Sequence, residues 1–83
     1  LVYRIVYKKS VHRDLKKLDK HEASNILDQI ENYLSEHPLS FPILKGKYSG
    51  LRKYRVGNYR VIYVILGGDV VILRIGDRKE VYK

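Results

Sequence analysis

The sequence predicts an α+β fold with the order β-α-α-β-β-β, in which a helical hairpin packs on one face of a mainly antiparallel sheet. Three observations lead to this prediction. A short alternating strand pattern opens the chain, two amphipathic helical patterns follow it, and the second half alternates apolar and polar residues around two glycine-containing turns. A chain of 83 residues has room for one core, so residues 1–83 are expected to form a single domain.

The first half opens with a strand predicted at residues 2–7, where Val and Ile alternate with Tyr and Arg. Ser10 is placed to act as the N-cap of a short helix. Val11, Leu15 and Leu18 then follow at the spacing of one apolar helix face. This pattern predicts a first helix directly after the strand.

The second helix is predicted from a cap, an apolar stripe and a stop signal. Asp19 is expected to cap it, with Glu22 three residues later in a capping-box arrangement. Pro38 disfavours α geometry at His37, so the helix should end near Glu36 or His37. The apolar stripe comprises Ala23, Ile26, Leu27, Ile30 and Leu34.

A loop and three strands are predicted in the second half. Residues 38–50 contain two prolines and two glycines and are expected to connect the helices to the sheet. Gly57-Asn58 suits a primed hairpin turn, and Gly67-Gly68 suits a second tight turn. The strands are expected at 52–56, 59–66 and 70–76, with a short Val81-Tyr82 segment ending the sheet.

The positive charge is concentrated in the β-rich half. Residues 45–83 hold ten Lys/Arg against three Asp/Glu, whereas residues 1–44 hold seven against six. The net charge of +8 therefore lies almost entirely on the second half, among tyrosines. A field of this kind attracts polyanions and accelerates their capture, so the composition points to a nucleic-acid partner.

Turn chemistry predicts that several of these cations converge. If Gly57-Asn58 forms the loop, Arg55 faces Arg60, and Lys53 faces Ile62 on the same side of the sheet. The second turn is expected to set Arg60 near Ile75, which brings Arg78 close to the same place. Like charges opposite one another on neighbouring strands are destabilising. Two interpretations stay open for this set, an anion-binding site or a solvated charged face.

Tyr82 follows the basic segment and has two possible roles. An aromatic ring there could stack on an unpaired base, as in proteins that bind single-stranded RNA. It could equally cover the edge of the core. The other tyrosines alternate with aliphatic residues in the predicted strands and are expected to be structural.

Other chemistries have little support in the sequence. There is no cysteine, and His12, His21 and His37 lack the spacing of metal ligands. No serine lies in a nucleophile elbow, and no glycine-rich loop leads into a helix. The sequence shows no signal peptide and no run that could span a bilayer. We therefore expect a soluble cytoplasmic protein without a metal or a small-molecule cofactor.

The segment L-K-G-K-Y-S-G-L-R-K-Y-R-V-G-N-Y-R-V-I-Y, followed by I-G-D-R-K-E-V-Y, resembles the RelE/ParE toxin superfamily. The usual pattern there is L-x-G, a Y/L-R-x-R-x-G-x-Y-R-x-x-Y hairpin and a G-x-R-x-x-x-Y ending. The resemblance extends over essentially the whole chain, and the β-α-α-β-β-β order is also that of the superfamily. It implies a RelE-like toxin fold.

The resemblance also implies an activity and partners. RelE-like members are ribosome-dependent mRNA endonucleases encoded beside an antitoxin. They cleave mRNA in the ribosomal A site, with the RNA's own 2′-hydroxyl as nucleophile, and leave a cyclic phosphate. The implied partners are a cognate RelB-like antitoxin, a 70S-type ribosome and mRNA.

Five residues acquire roles by this resemblance. Arg60 matches the arginine that stabilises the transition-state phosphate, and Arg78 the arginine that helps protonate the 5′-oxygen leaving group. Tyr82 matches the tyrosine that stacks on the cleaved nucleotide. Lys53 and Arg55 match paired strand lysines, of which one usually acts as the base and the other holds the phosphate.

Two departures from the pattern bear on the general base. The hairpin is shorter than in the best-known bacterial members, and Arg55 replaces a lysine. Arginine keeps its proton and is a poor base, which favours Lys53. Two other functions remain open: a ParE-like inhibitor of DNA gyrase and a non-catalytic module that binds RNA or ribosomes.

Overall fold

The computed structural model describes residues 2–77, and within them it confirms the predicted order of two helices and four strands. The predicted Val81-Tyr82 segment lies outside the described residues. The elements are β1 (Arg4–Tyr7), α1 (Lys9–Lys16), α2 (Lys20–Gln29), β2 (Arg52–Val56), β3 (Tyr59–Leu66) and β4 (Asp69–Asp77).

The four strands form one mixed sheet in the order β1-β4-β3-β2. β1 runs parallel to β4, and the other two pairs are antiparallel. The helices pack on one face of this sheet, where the apolar stripe of α2 meets alternate residues of the strands. The fully buried members of this core include Val11, Ile26, Ile30, Leu34, Val61, Tyr63, Val70 and Ile72.

β1 is short, and this determines how α1 packs. It pairs with β4 only from Asp69 to Ile72, so the second half of β4 extends beyond it. α1 lies there, and the Ser10 hydroxyl donates a hydrogen bond of 2.7 Å to the Leu73 carbonyl. The prediction that Ser10 caps α1 is wrong, because Lys8 occupies the cap position and Ser10 instead satisfies this exposed strand carbonyl.

α2 has the predicted start and an earlier end. The Asp19 side chain accepts a hydrogen bond from the His21 amide, which confirms the cap. The helix then widens into a π-helical turn at Ile30–Leu34 and ends with Ser35, slightly before the predicted end. The Ser35 carbonyl accepts a hydrogen bond of 2.9 Å from the Tyr3 amide, which ties the helix end to the first strand.

The two tight turns are confirmed. Val56 faces Tyr59 across the first turn, and Leu66 faces Asp69 across the second. In each turn the leading glycine has a positive φ, 60° at Gly57 and 61° at Gly67, while the second residue does not. This is the pattern of a type II′ turn, whose twist matches that of the flanking strands.

A β-bulge changes the register of β4 from the one predicted. The register shifts between Ile62 and Tyr63, with Ile62 facing Arg74 and Tyr63 facing Ile72. Leu73 is the extra residue between them. Arg60 consequently faces Gly76, so the prediction that it lies opposite Ile75 is off by one residue.

The segment from 38 to 50 is a loop, as predicted, with two short 3₁₀ turns at Pro38–Ser40 and Gly46–Tyr48. It runs beside the free edge of β2, where Ile43 forms a bridge with Arg52. No helix within residues 2–77 has the length and apolar character needed to cross a membrane.

Candidate active site

Lys53, Arg55 and Arg60 lie on the sheet face turned away from the helices, which we call the basic face. The strand register confirms that Arg55 faces Arg60 and that Lys53 faces Ile62. The alternate residues Tyr54 and Val61 point the other way and belong to the core. The fold therefore brings together three of the five predicted site residues.

The facing arginines differ in how they are held. The Arg55 side chain is exposed, and its Nε donates a hydrogen bond of 3.0 Å to the Gly57 carbonyl in the turn. Arg60 is half-buried and faces Gly76, which has no side chain. The turn thus holds the Arg55 guanidinium at the hairpin tip, and Arg60 lies farther inside the sheet.

An apolar residue on β3 separates the cations of the two strands on either side of it. Ile62 is only 4% exposed, although it lies on the basic face and outside the main core cluster. It faces Lys53 on β2 and Arg74 on β4, so the three residues form one row across three strands. A dry residue between the cations lowers the local dielectric and strengthens their attraction for an anion.

Arg74 belongs to an ion pair that the sequence pattern did not predict. The buried Asp14 carboxylate accepts hydrogen bonds from Arg74 Nε at 2.9 Å and Nη2 at 3.1 Å. It also accepts one of 2.9 Å from the Ile75 amide. Ser10 and Asp14, four residues apart on α1, thus satisfy backbone groups of β4 beyond the end of β1. Two polar residues at that spacing beside an apolar stripe are the signal that could have predicted this contact.

Arg52 shows that not every cation of the hairpin belongs to the basic face. It faces Tyr63, and its Nη1 donates a hydrogen bond of 2.7 Å to the Phe41 carbonyl. Arg52 therefore fixes the loop beside β2. This hydrogen bond gives Arg52 a structural role.

Asp77 faces Tyr59 at the end of β4. Tyr59 has a raised pKa because its hydroxyl hydrogen-bonds to Glu22, with a further contribution from the charge of Asp77. The residue before Asp77 on β4 is Gly76, which faces Arg60.

Two of the predicted site residues, Arg78 and Tyr82, lie outside the described residues, and their roles stay predictions. Within residues 2–77, no three His, Asp or Glu side chains are grouped as a metal site would require. The described site thus offers positively charged groups on a partly apolar surface. Such an arrangement can bind a phosphodiester and stabilise the charge that develops when it reacts.

The amino-acid sequence is similar to that of known toxins. The family of ParE toxins of type II toxin–antitoxin systems, parDE, matches residues 3–82. The toxin RelE3 of Methanocaldococcus jannaschii is 29% identical over 83 residues, which cover 95% of this chain and 94% of that protein.

The fold is also similar to that of toxins whose structures have been solved. The toxin–antitoxin complex RelBE2 of Mycobacterium tuberculosis contains a chain that superimposes with a TM-score of 0.89 at 30% identity, covering 94% of this chain and 100% of that one. A double arginine-to-alanine mutant of E. coli RelE in the free state gives a TM-score of 0.79 at 18% identity, covering 99% of this chain and 92% of that one. The chain therefore belongs to the ParE toxin family and is a type II toxin of the RelE/ParE superfamily.

Proposed function

We propose that this toxin is a ribosome-dependent mRNA endonuclease, which cleaves mRNA in the ribosomal A site by attack of the RNA 2′-hydroxyl. The observation that carries the proposal is the direct opposition of Arg55 and Arg60, with Lys53 on the same face. Like charges directly opposite one another on neighbouring strands are destabilising, and a bound anion offsets part of that cost. A phosphodiester is the anion that this face fits.

Each residue of the site has its own role in the proposed cleavage reaction. Lys53 accepts the proton of the 2′-hydroxyl, whose oxygen attacks the adjacent phosphorus. The bond from phosphorus to the 5′-oxygen breaks, which leaves a 2′,3′-cyclic phosphate and a 5′-hydroxyl. Arg60 and Arg55 stabilise the charge on the non-bridging oxygens. Arg78 helps protonate the leaving oxygen, and Tyr82 stacks on the nucleotide, as the resemblance implies.

No histidine is assigned to this reaction, so alignment of the RNA must contribute much of the rate. In-line attack requires the nucleophile, the phosphorus and the leaving oxygen to lie nearly in a row. A ribosome that holds mRNA in the A site could impose this geometry. We therefore expect slow cleavage of free RNA and faster cleavage of translated mRNA.

We further propose that a RelB-like antitoxin binds and inhibits this chain. A net charge of +8 on 83 residues suits an acidic and partly disordered partner that folds as it binds. Co-expression with the adjacent open reading frame should give a stable complex that lacks cleavage activity. Failure of the two chains to co-purify would rule out that partner.

Primer extension on translated mRNA tests the nuclease directly. Wild-type protein should create new RNA ends at A-site codons, and Arg60→Ala and Lys53→Ala should suppress them. Arg4→Ala is the matched control, because Arg4 is an exposed cation of the same sheet, on the far edge strand and paired with Asp69. Cleavage that persists unchanged in both site variants would disprove the assignment.

Inhibition of DNA gyrase is the second candidate, favoured by the match to the ParE family model itself. This activity would require protein binding and no RNA cleavage. A supercoiling assay separates the two functions. Gyrase inhibition without new mRNA ends would replace the nuclease proposal, whereas binding to ribosomes with neither effect would indicate a non-catalytic module.

A further inference from the structure

We propose that Arg13, Lys17 and Arg74 form a second phosphate site, which binds a backbone phosphate of the RNA strand next to the one that is cleaved. The inference rests on the proposed function, since it takes RNA as the ligand. It concerns a different part of the molecule from Lys53, Arg55 and Arg60.

The site is a concavity of about 280 Å³ between α1 and β4, lined by Ser10, Arg13, Asp14, Lys17 and Arg74. Arg13 and Lys17 are exposed and lie one helical turn apart on α1. The third cation, Arg74, comes from β4. Cations from two elements thus surround one depression.

Asp14 organises this site without cancelling its charge. Both of its oxygens accept hydrogen bonds from Arg74, and one also binds the Ile75 amide. The pairing fixes the guanidinium at the edge of the depression. Three cations against this single carboxylate leave a local balance of +2. A phosphate carries the opposite charge, and its oxygens accept hydrogen bonds from both arginine and lysine.

The depression is continuous with the basic face. Lys53, Ile62 and Arg74 form one row across β2, β3 and β4. Neighbouring strands lie ~4.8 Å apart, so the Cα atoms of Lys53 and Arg74 are about 10 Å apart. Arg55, Arg60 and Gly76 form the adjacent row. An RNA strand that crosses the basic face from that row towards Arg74 would place one phosphate at Arg55 and Arg60 and a neighbouring phosphate at the depression.

Stabilisation of α1 is a simpler role for Arg13 and Lys17, and an experiment can distinguish it from phosphate binding. Arg13 lies in the last turn of α1 and Lys17 caps it, where positive charge complements the helix dipole. Lys16 lies in the same last turn and does not line the depression. A helix-stabilising role would therefore be shared by Lys16, whereas a phosphate site would not.

The test compares Arg13→Ala/Lys17→Ala with Lys9→Ala/Lys16→Ala, which removes the same charge from an exposed face of the same helix. Fluorescence anisotropy would follow binding of a short 2′-O-methyl oligouridine, which 2′-hydroxyl attack cannot cleave, across a range of salt concentrations. We expect the first variant to bind at least about tenfold more weakly, the effect of losing one charge-assisted hydrogen bond. Its slope of log affinity against log salt should fall by about 0.7, the contribution of one single-strand phosphate.

Equal slopes for the two double variants would overturn the inference, and so would a wild-type protein that shows no salt-dependent binding. Weakened antitoxin binding by Arg13→Ala/Lys17→Ala, with unchanged RNA binding, would assign the surface to a protein partner and also overturn it. The ribosomal cleavage assay is independent of this test. If the oligouridine result is as expected but mRNA is not cleaved, the nuclease proposal fails and the RNA site stands.

Discussion

The Asp14 carboxylate and the Arg74 guanidinium are joined by two hydrogen bonds, of 2.9 and 3.1 Å, although they are 60 residues apart in sequence. The two partners are buried to different degrees. The Asp14 side chain is 6% exposed, whereas that of Arg74 is 35% exposed. The pair fastens α1 to β4 at the point where β1 has ended, and the carboxylate is the less exposed of the two partners.

This asymmetry predicts that Arg74→Ala is more damaging than Asp14→Asn. Arg74→Ala removes the guanidinium that is hydrogen-bonded to a buried carboxylate and leaves only Arg13 and Lys17 beside it, which should lower the free energy of unfolding by about 3 kcal/mol, the low end for a broken buried pair. Asp14→Asn leaves an arginine that can turn towards water, and it retains an oxygen for the Ile75 amide. We expect that change to cost about 1–3 kcal/mol.

Urea denaturation of both variants would measure the difference. Arg4→Ala is the reference, because it breaks the exposed Arg4–Asp69 pair and should have a much smaller effect. An equal or larger loss for Asp14→Asn would show that the buried carboxylate is not the vulnerable partner.

The second hairpin turn contains its own matched pair of substitutions. Gly67 has φ of 61°, whereas the φ of Gly68 is not positive, and an added Cβ at either position meets nothing within 4 Å. Gly67→Ala should therefore lower the free energy of unfolding by ~1–3 kcal/mol, the cost of holding an L-residue at a positive φ that it rarely adopts. Gly68→Ala should be neutral or stabilising by up to about 1 kcal/mol, because it restricts the unfolded chain.

Thermal or urea denaturation of the two alanine variants would test this ordering. Neither substitution adds a contact, so conformational preference is the only difference between them. Similar losses at both positions would argue against the type II′ geometry of this turn.

Local signals predicted much of this fold. The two-residue turns fixed the pairing of Arg55 with Arg60, because loop length and side-chain alternation together leave a single register. Asp19 was identified as a cap from its position before an apolar stripe. These features depend on residues that are close in sequence.

Features that depend on distant residues were missed. The bulge at Leu73 shifts β4 by one position, and its carbonyl is satisfied by Ser10, 63 residues earlier. Ser10 was assigned to a cap because its strand partner is not visible from the local pattern. The burial of Asp14 likewise depends on β1 being shorter than β4. In the candidate site, the sequence predicted that Lys53, Arg55 and Arg60 lie together. It did not predict that the turn holds the Arg55 side chain.

Tyr63 predicts a loss of stability at alkaline pH. Its side chain is fully buried, its hydroxyl donates a hydrogen bond of 2.6 Å to the Pro38 carbonyl, and burial raises its pKa to about 12 from an ordinary value of 10. The unfolded chain therefore releases this proton first as pH rises. The stabilisation is complete below pH ~10 and is lost between about 10 and 12, by roughly 2–3 kcal/mol at most.

Tyr63→Phe removes this ionisation and should reduce the pH dependence of stability in that range, to which Tyr7, Tyr54 and Tyr59 still contribute because their pKa values are also raised. It should also cost about 1 kcal/mol at neutral pH, because the Pro38 carbonyl loses its donor. Tyr33→Phe, at an exposed tyrosine, is the control. A Tyr63→Phe protein as sensitive to alkaline pH as the wild type would contradict the prediction.

Lys53 and Arg55 lie at different distances from the hairpin turn, and this difference bears on which of them is the general base. Arg55 is held at the turn by its bond to the Gly57 carbonyl, whereas Lys53 lies two residues deeper, beside the dry Ile62. If Lys53 is the base, Lys53→Ala should lower cleavage on programmed ribosomes by ~10²–10⁴-fold, the usual contribution of general base catalysis.

Arg55→Lys keeps a positive charge at the turn and should change the rate less than about tenfold, because a lysine there can still attract the phosphate without the fork geometry of arginine. Lys45→Ala, at an exposed loop lysine, controls for the loss of one charge. The informative comparison is Lys53→Arg, which keeps the charge and removes a group able to accept a proton. If Lys53→Arg cleaves as well as the wild type, charge alone is required at that position and the proton must leave by another route.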